Sequence, residues 1–366
     1  MINVLVVDDS AFMRKALSMM LESDPEIKVV DTARDGLDAL EKVERLQPDV
    51  VTLDVEMPRM DGITALKRIM RDFPRPVLMV SSLTKEGAET TIEALQAGAV
   101  DFIPKQFSYV SLEITKIQED LVAKVKTIAR SRSRLFRRSA AGTTPAAAAP
   151  VRTPATAGLG ASDARLIAIG ISTGGPFALQ HVVPALPAEL PVPVVIVQHM
   201  PPHFTRSLAD RLNTLSPLRV VEAEAGMRLE AGTVFIAPGG LHLTFRQGPG
   251  GSVLLATPTE PATTLHRPSV DVMFTSANET FSGRVLAAVM TGMGRDGLEG
   301  ARLIKRSGGR LLAQDADSCV VYGMPRAVVE AGLADAVLPL DEIAPALVQA
   351  VARSSSPSPL RTGTFS

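Results

Sequence analysis

The sequence contains one cysteine, two tyrosines and no tryptophan, and its formal net charge is only −1. Because Cys319 stands alone, an intramolecular disulfide is excluded and a reducing compartment is favoured. The near-zero charge gives no electrostatic reason to expect binding to nucleic acid or to an anionic membrane. No apolar run approaches the ~20 residues that span a bilayer, and the first run ends at Asp8 with no basic segment before it. We therefore expect a cytoplasmic protein without a signal peptide and without membrane insertion.

Residues 2–129 alternate short apolar runs with segments of helical spacing. Strands are predicted near 4–7, 28–31, 50–53, 77–81 and 100–103, and helices near 11–22, 36–46, 61–71, 86–97 and 109–129. Five such pairs predict an open, doubly wound parallel sheet with helices on both faces. In sheets of this kind, functional sites lie at the carboxyl ends of the strands.

The alternation stops in the Ala- and Pro-rich segment 131–164, which contains several arginines and predicts a flexible linker. From residue 165 a second α/β pattern begins, with a β-hairpin predicted across Gly248–Gly251. Further strands are predicted at 166–171, 193–198, 234–237, 285–290, 310–313 and 335–338, and helices near 176–186, 202–213, 269–280, 295–307, 324–331 and 341–352. We expect a first domain at 1–130, the linker, a second α/β domain with a mostly parallel sheet at 165–352, and a disordered tail at 353–366.

Acidic residues follow two strands of the first domain. Asp8 and Asp9 end the first predicted strand, and Asp54 ends the third. In the flavodoxin-like strand order 2-1-3-4-5 these strands are neighbours, so the three carboxylates converge at one edge of the sheet. Converging carboxylates repel one another unless a cation lies between them, and oxygen ligands suit Mg²⁺.

Lys105 ends the fifth strand and Ser81 ends the fourth, so an ammonium and a hydroxyl face the same acidic edge. This set can accept a phosphoryl group on Asp54, because the metal and the lysine neutralise it and the hydroxyl binds its oxygens. The alternative is that Asp9 only caps a helix and Asp54 only stabilises a turn. Helix capping does not explain why aspartates follow two strands of the sheet while a lysine follows its fifth strand.

Four segments carry a resemblance to a known family: VLVVDDSAFMR (4–14), LDVEMPRMDG (53–62), VSSLT (80–84) and QAGAVDFIPK (96–105). With them the first domain resembles the receiver domain of bacterial response regulators. The resemblance implies that a histidine kinase phosphorylates Asp54. It also implies that Asp9, Asp54 and the backbone carbonyl of Glu56 hold Mg²⁺, with Asp8 acting through water.

The same resemblance places Ser81 and Phe102 at the switch positions of a receiver. One residue departs from the family pattern, since Gln106 stands where proline usually follows the lysine, often after a cis bond. A cis bond before a residue other than proline costs ~3 kcal/mol. We therefore expect a different local backbone after Lys105, with the lysine itself unaffected.

Ser172 is the candidate nucleophile of the second domain. It lies in the run LIAIGISTGGPFAL (166–179), between an apolar strand and a helix that Pro176 opens. A tight strand-to-helix turn exposes the hydroxyl at the sheet edge. Backbone N–H groups at the helix start are free to stabilise negative charge beside it.

A serine becomes a nucleophile when a base takes its proton and an acid orients that base. We predict His199 as the base and Asp296 as the acid, because each follows a strand of the same sheet, as Ser172 does. The remaining histidines, which lie in predicted helices or near the hairpin, are His181, His203, His242 and His266. The alternatives, a packed histidine ring and an aspartate that only caps a helix, do not account for three matching strand-end positions.

Two short motifs point to other enzyme classes. Residues 170–174 fit the G-x-S-x-G elbow of α/β-hydrolases, but those enzymes place the histidine last, whereas His199 precedes Asp296. Residues 292–297 fit G-x-G-x-x-G, and Asp315 follows at the next strand end. A pyrophosphate bound there would lie beside the Asp296 carboxylate, where like charges repel. We therefore disfavour both interpretations.

Six segments of the second domain carry another resemblance: IGISTGGP (169–176), VVIVQHMPPHFT (194–205), APGGLHL (237–243), HRPSVDVMF (266–274), MTGMGRDG (290–297) and YGMP (322–325). With them the domain resembles the catalytic domain of the protein-glutamate methylesterases of bacterial chemotaxis. The resemblance implies a triad of Ser172, His199 and Asp296. It also implies that Thr173 and Met293 shape the site and its oxyanion pocket.

Together the two resemblances imply a phosphorylation-activated hydrolase. It would remove methyl groups from glutamyl esters of chemoreceptors, releasing methanol, and it would deamidate receptor glutamines. The ester reaction would need no cofactor. The alternative is a response regulator whose second domain only binds a partner, and methanol release that survives Ser172→Ala would favour it. A nicotinamide-dependent enzyme would instead bind a dinucleotide.

Overall fold

The computed structural model describes residues 1–105, 111–140 and 162–352. The predictions on Gln106, on residues 141–161 of the linker and on the tail 353–366 lie outside the described residues. Two parallel sheets flanked by helices and one antiparallel hairpin make up the described chain. Within it, every helix is too short or too polar to cross a membrane.

The N-terminal sheet has the strand order β2-β1-β3-β4-β5, and all of its pairs are parallel. The strands are β1 (Ile2–Val7), β2 (Ile27–Ala33), β3 (Val50–Asp54), β4 (Val77–Ser81) and β5 (Asp101–Pro104), and the helices are α1 (Ala11–Leu21), α2 (Gly36–Leu46), α3 (Gly62–Asp72), α4 (Lys85–Gln96) and α5 (Ser111–Ala140). This confirms the predicted flavodoxin-like sheet. Since β1 and β3 are neighbours, Asp8 and Asp54 reach the same edge.

Side chains cap four of these helices at their N-termini. The side chains of Ser10, Asp35, Asp61 and Thr84 accept hydrogen bonds from backbone amides in the first turns of α1 to α4. Gly62 begins α3, and a Cβ atom there would lie 1.9 Å from the backbone oxygen of Asp54. A glycine at this position therefore lets α3 begin directly against the end of β3.

Helix α5 is longer than predicted. It runs to Ala140, through the first ten residues of the segment predicted as linker. Leu121, Val125 and Ile128 are fully buried, which anchors the helix on the sheet. Beyond them the arginines and alanines are strong helix formers, so the helix continues where apolar periodicity has ended.

The C-terminal sheet has seven parallel strands in the order β14-β13-β12-β6-β7-β9-β8, with a separate hairpin of β10 and β11. The strands are β6 (Leu166–Ile171), β7 (Val194–Gln198), β8 (Arg219–Glu222), β9 (Thr233–Ile236), β10 (Thr244–Gln247), β11 (Val253–Ala256), β12 (Val285–Val289), β13 (Arg310–Gln314) and β14 (Ala336–Leu338). The helices are α6 (Gly175–Val182), α7 (Phe204–Leu215), α8 (Val270–Phe281), α9 (Leu298–Arg306), α10 (Met324–Glu330) and α11 (Leu340–Val351). The predicted mostly parallel sheet and hairpin are both confirmed.

Strand β8 was not predicted. It has four residues and forms one edge of the sheet, with Arg219 exposed and Val220 buried. By contrast, all six residues of the central strand β6 are buried. A central parallel strand is covered on both faces and has a continuous apolar sequence, whereas a short edge strand leaves little hydrophobic signal.

Candidate active site

The three predicted triad residues lie around the point where the strand order reverses. Strand β6 has β7 on one side and β12 on the other, so the chain moves outward in both directions from β6. Ser172 follows β6 directly and His199 follows β7, while Asp296 lies in the loop between β12 and α9. Such a switch point opens a crevice at the carboxyl ends of the strands.

Ser172 is held in a tight turn against the loop that follows β12. Its amide donates to the carbonyl of Thr291 (2.9 Å), and its carbonyl accepts from Gly175 (2.8 Å). A Cβ atom on Gly292 would lie 2.8 Å from the Cβ of Ser172. Gly174 has a φ of +77°, which a glycine adopts without strain. The glycines therefore permit the turn and allow the two loops to meet.

His199 is paired with Asp296 through its Nε2 atom, which lies 2.8 Å from Oδ2 of Asp296. The other ring nitrogen, Nδ1, is buried and has no hydrogen-bond partner in the described part of the chain. Because an ionised Asp296 accepts a hydrogen from Nε2, the lone pair of Nδ1 is available to take a proton.

The described residues contain no hydrogen bond between the Ser172 hydroxyl and His199. Their backbones are nevertheless joined, since the amide of His199 donates to the carbonyl of Ile171 (3.2 Å). Hydrogen bonds between a nucleophile and its base are often long before substrate binds.

Asp296 accepts hydrogen bonds from the start of α8 as well as from His199. The Ser269 hydroxyl (2.9 Å) and the amide of Asp271 (3.0 Å) donate to Oδ1, and the amide of Val270 (2.7 Å) donates to Oδ2. Burial alone would raise the pKa of Asp296, but His199 and these amides together hold it far below its usual range. Asp296 is therefore a fixed anion that orients His199.

Thr173 follows Ser172 directly, and Met293 lies in the loop after β12 that meets the Ser172 turn. Within the described residues, the backbone amides of both make no hydrogen bond, whereas the carbonyl of Thr173 accepts from the Thr291 hydroxyl (2.9 Å). Two unpaired amides beside a nucleophile are the donors that an oxyanion needs.

The acidic edge of the N-terminal sheet forms a second site. The carboxylates of Asp8, Asp9 and Asp54 each place an oxygen within 4.8 Å of the others. Lys105 Nζ lies 3.0 Å from Asp8 and 2.7 Å from Asp54. The paired oxygens of Asp8 and Asp54 are buried, and among the described residues they make no hydrogen bond besides these ion pairs. Converging, buried carboxylate oxygens of this kind fit Mg²⁺.

Asp54 is only 2% exposed, and burial raises its pKa to about 6 despite the nearby ammonium of Lys105. Burial acts to lower the pKa of Lys105, but Asp54 and Asp8 outweigh it and raise that pKa. A cavity of about 210 Å³ opens onto Asp54 and is lined by Asp9, Asp54, Val55, Glu56, Ser82 and Lys105. Asp54 is therefore accessible to a small anionic group.

Ser81 lies at the end of β4, as predicted, but its hydroxyl does not line this cavity. The hydroxyl donates to the carbonyl of Gly87 in α4 (3.1 Å) and so faces away from Asp54. The neighbouring Ser82 occupies the cavity wall instead.

A cavity larger than the one at Asp54 lies at the other end of the C-terminal sheet. It has about 500 Å³ and is lined by residues that precede β6 and β7, among them Arg165 and Pro193. None of the triad residues lines it. Chemistry and strand polarity, rather than cavity size, therefore identify the candidate site.

Comparisons with known proteins match both parts of the chain. Residues 4–115 match the family described as response regulator receiver domain, and residues 167–347 match the family described as CheB methylesterase. A relative from Oleidesulfovibrio alaskensis, "Protein-glutamate methylesterase/protein-glutamine glutaminase 1", is 52% identical over 96% of this chain and 100% of its own length. The chain belongs to the CheB methylesterase family.

Two further relatives carry the same name apart from its numbering. One, from Nitratidesulfovibrio vulgaris, is 50% identical over 95% of this chain and 99% of its own length. Another, from Symbiobacterium thermophilum, is 51% identical over 96% of this chain and 97% of its own length. The similarity thus extends over both α/β sheets.

The receiver of this family member contacts the methylesterase part beside the triad. Phe102 of β5 stacks on Phe204 of α7, with ring centroids 4.5 Å apart and planes inclined by 3°. Lys124 of α5 donates to the Phe102 carbonyl (2.9 Å), and the Thr127 hydroxyl, which donates to the Ala123 carbonyl (2.7 Å), lies 3.8 Å from Sδ of Met293. The β5–α5 side of the receiver therefore covers the loop that carries Met293.

Sequence reasoning missed three residues of the site. Gln198 donates to the carbonyls of Ser172 (3.0 Å) and His199 (3.2 Å), so its buried amide joins the ends of β6 and β7. Ser269 binds Asp296, and His266 stacks on His199. A polar residue at the end of an otherwise apolar strand was the available signal for Gln198. The contacts of Ser269 and His266 depend on the tertiary structure.

Proposed function

We propose that this chain is a phosphorylation-activated hydrolase that demethylates glutamyl γ-methyl esters of chemoreceptors and deamidates receptor glutamines, in chemotaxis adaptation. The observation that carries the proposal is the ionised Asp296 bound to His199 (2.8 Å) beside the Ser172 turn. The named activities of its full-length relatives support it. We assign the receiver to 1–130 and the catalytic domain to 165–352.

In the proposed reaction, Ser172 Oγ attacks the ester carbonyl and its proton passes to Nδ1 of His199. The imidazolium, held by Asp296, then gives that proton to the departing methoxide, which leaves as methanol. Water adds to the resulting acyl-serine, with His199 again acting as base, and releases glutamate and free Ser172. With a glutamine substrate the leaving group is ammonia.

Charge develops on the carbonyl oxygen during both steps. The amides of Thr173 and Met293 are the donors proposed to stabilise it, because both flank Ser172 and are otherwise unpaired within the described chain. Donors that are already oriented stabilise the tetrahedral intermediate without reorganisation. No group besides these side chains and amides is required, so we propose that the ester reaction uses no cofactor.

In the receiver, the proposed phosphoacceptor is Asp54. Asp9, Asp54 and the backbone carbonyl of Glu56 would hold Mg²⁺, with Asp8 acting through water. The ion would neutralise the charge of the incoming phosphoryl group. Lys105 already contacts Asp54 and would pair with a phosphoryl oxygen.

We propose that Ser81 and Phe102 are the switch residues. Binding of the phosphoryl group by Ser81 would require its hydroxyl to leave Gly87. Phe102 stacks directly on Phe204 of the catalytic domain, so a change at β5 has a physical route to the contact beside Met293. Phosphorylation would shift the population toward an opened site.

The proposed partners are a chemotaxis histidine kinase, as phosphodonor, and chemoreceptors, as substrates on the cytoplasmic side. Mass spectrometry of a methylated receptor peptide, incubated with full-length protein with and without a small-molecule phosphodonor, tests the proposal. Wild type should release methanol faster with the phosphodonor, and Ser172→Ala should reduce release by at least about 10⁴-fold. Unchanged release by Ser172→Ala would overturn the triad, and absence of release by wild type would favour a partner-binding output domain.

A further inference from the structure

A second histidine lies face to face with the proposed catalytic base. The rings of His199 and His266 have centroids 4.1 Å apart and planes inclined by 20°. The imidazole of His199 is 8% exposed at its side chain, so little water separates it from its neighbours. Stacking leaves the ring little freedom to rotate about the Cβ–Cγ bond.

The segment that carries His266 also holds the acid. Three residues after His266, the hydroxyl of Ser269 donates to Asp296. The amides of Val270 and Asp271 donate to the same carboxylate. One short stretch of chain, 266–271, therefore contacts both members of the base–acid pair. Its position fixes the ring plane of His199 and the orientation of the Asp296 carboxylate together.

We propose that His266 is a positioning residue for the esterase reaction, whose stacked ring keeps Nε2 of His199 on Asp296 and Nδ1 directed at the nucleophile. This inference rests on the proposed function. It assigns His266 no contact with substrate. An imidazole rotated by a half-turn would present a carbon to Asp296 and lose the hydrogen bond, and the stack opposes that rotation.

The electrostatics of the stack agree with this role. Burial, and then the proximity of His199, lower the pKa of His266 to about 4, while Asp296 acts in the opposite direction. His266 is therefore neutral near pH 7, so the imidazolium that forms on His199 during catalysis does not meet a second cation in the stack.

The test uses three variants of the full-length protein. His266→Ala removes the ring, His266→Phe keeps an aromatic face without ring nitrogens, and His181→Ala removes an exposed histidine of α6 as a matched control. We expect His266→Ala to lower kcat by about 10- to 100-fold with KM within about twofold, because misorientation of a bound base affects chemistry rather than binding. His266→Phe should recover kcat to within about threefold of wild type, and His181→Ala should equal wild type.

A second measurement reports orientation without catalysis. In the Ser172→Ala background, the hydrogen-bonded Nε2 proton of His199 should give a low-field proton resonance. We expect that resonance to persist with His266→Phe and to broaden or vanish with His266→Ala. Wild-type kcat and an unchanged resonance in His266→Ala would overturn the proposal, as would a His266→Phe variant as impaired as His266→Ala. If wild type released no methanol, the proposed function would fail, whereas the resonance would still decide the role of His266.

Discussion

Asp54 and Asp296 are both carboxylates at the carboxyl-end edge of a parallel sheet, yet their environments have opposite electrostatic effects. Burial raises the pKa of Asp54 to about 6, and the principal group opposing it is Lys105. Burial also disfavours the charge on Asp296, but His199 and the backbone amides of Asp271 and Val270 outweigh it and hold its pKa far below the usual range. The number of donors directed at a buried carboxylate, more than its burial, therefore decides how firmly it stays ionised.

This difference suits the two proposed roles. A carboxylate saturated with donors keeps its charge and orientation through a catalytic cycle, as an orienting acid must. Asp54 has fewer donors, the Lys105 ammonium and a long hydrogen bond from the Glu56 amide (3.4 Å), and it lies at the wall of a small cavity where a new bond could form. The same edge of two parallel sheets thus supports a fixed anion in one and a reactive group in the other.

The largest expected effect is on the rate of methanol release, which replacing Asp296 and replacing Asp54 should change in different ways. Asp296→Asn should lower kcat by about 10³- to 10⁴-fold, because an amide cannot hold His199 in the required tautomer. Asp54→Asn should leave the rate without phosphodonor within about twofold and abolish its stimulation. Methanol release with and without phosphodonor measures both. Equal losses in the two variants would contradict the division of roles.

The next effect concerns stability. Between about pH 4 and 6 native Asp54 retains a proton that the unfolded chain has released, so the free energy of unfolding falls as pH rises through this range. A shift of about two pKa units corresponds to about 2–3 kcal/mol. The Asp54→Asn variant has no carboxyl group here and so escapes this pH-dependent loss of stability. The free energy of unfolding of the variant, minus that of wild type, should therefore increase from pH 4 to pH 7.

Urea unfolding in the presence of a chelator measures this difference, since a bound cation would mask it. The exposed Glu86→Gln provides the matched control for replacing a carboxylate by an amide. If the difference in free energy of unfolding between Asp54→Asn and wild type did not change with pH, burial would not raise the pKa of Asp54.

A tenfold effect is expected from removing one donor to Asp296. Ser269→Ala deletes the hydroxyl that lies 2.9 Å from Oδ1, and a hydrogen bond to a charged group contributes about 1.5–3 kcal/mol. We expect kcat to fall by at least about tenfold, with little change in KM. Ser252→Ala, in the exposed hairpin turn, is the matched control and should retain wild-type kcat. Wild-type kcat in Ser269→Ala would mean that the amides alone suffice.

The smallest effect lies where the two regions meet. Thr127→Val removes the hydroxyl that lies 3.8 Å from Sδ of Met293, and this contact is weak because the hydroxyl donates to the Ala123 carbonyl (2.7 Å). We expect the rate without phosphodonor to rise by less than about threefold, with no change in the fully stimulated rate. Thr90→Val, at a half-buried threonine whose hydroxyl also donates within its own helix, α4, is the control. A fall in the stimulated rate would place Thr127 in catalysis rather than in the covering contact.

Much of the fold was predictable because buried parallel strands have continuous apolar sequences and most were recognised, as in β6. The edge strand β8 and the extension of α5 were missed, since neither depends on a strong apolar pattern. Positions of site residues followed from strand ends: Ser172, His199 and Asp296 all lie at one edge of the sheet. Their roles remain proposals that the experiments above test.

The sequence by itself determined which groups can reach each edge, because strand polarity and neighbour order place the carboxyl ends of β1 and β3, or of β6, β7 and β12, side by side. Only the tertiary structure decided what those groups meet there. Nε2 rather than Nδ1 of His199 faces Asp296, the start of α8 supplies the donors to that carboxylate, and His266 covers the ring. Such contacts join residues from separate segments through side-chain rotation and helix placement, and no local pattern encodes either.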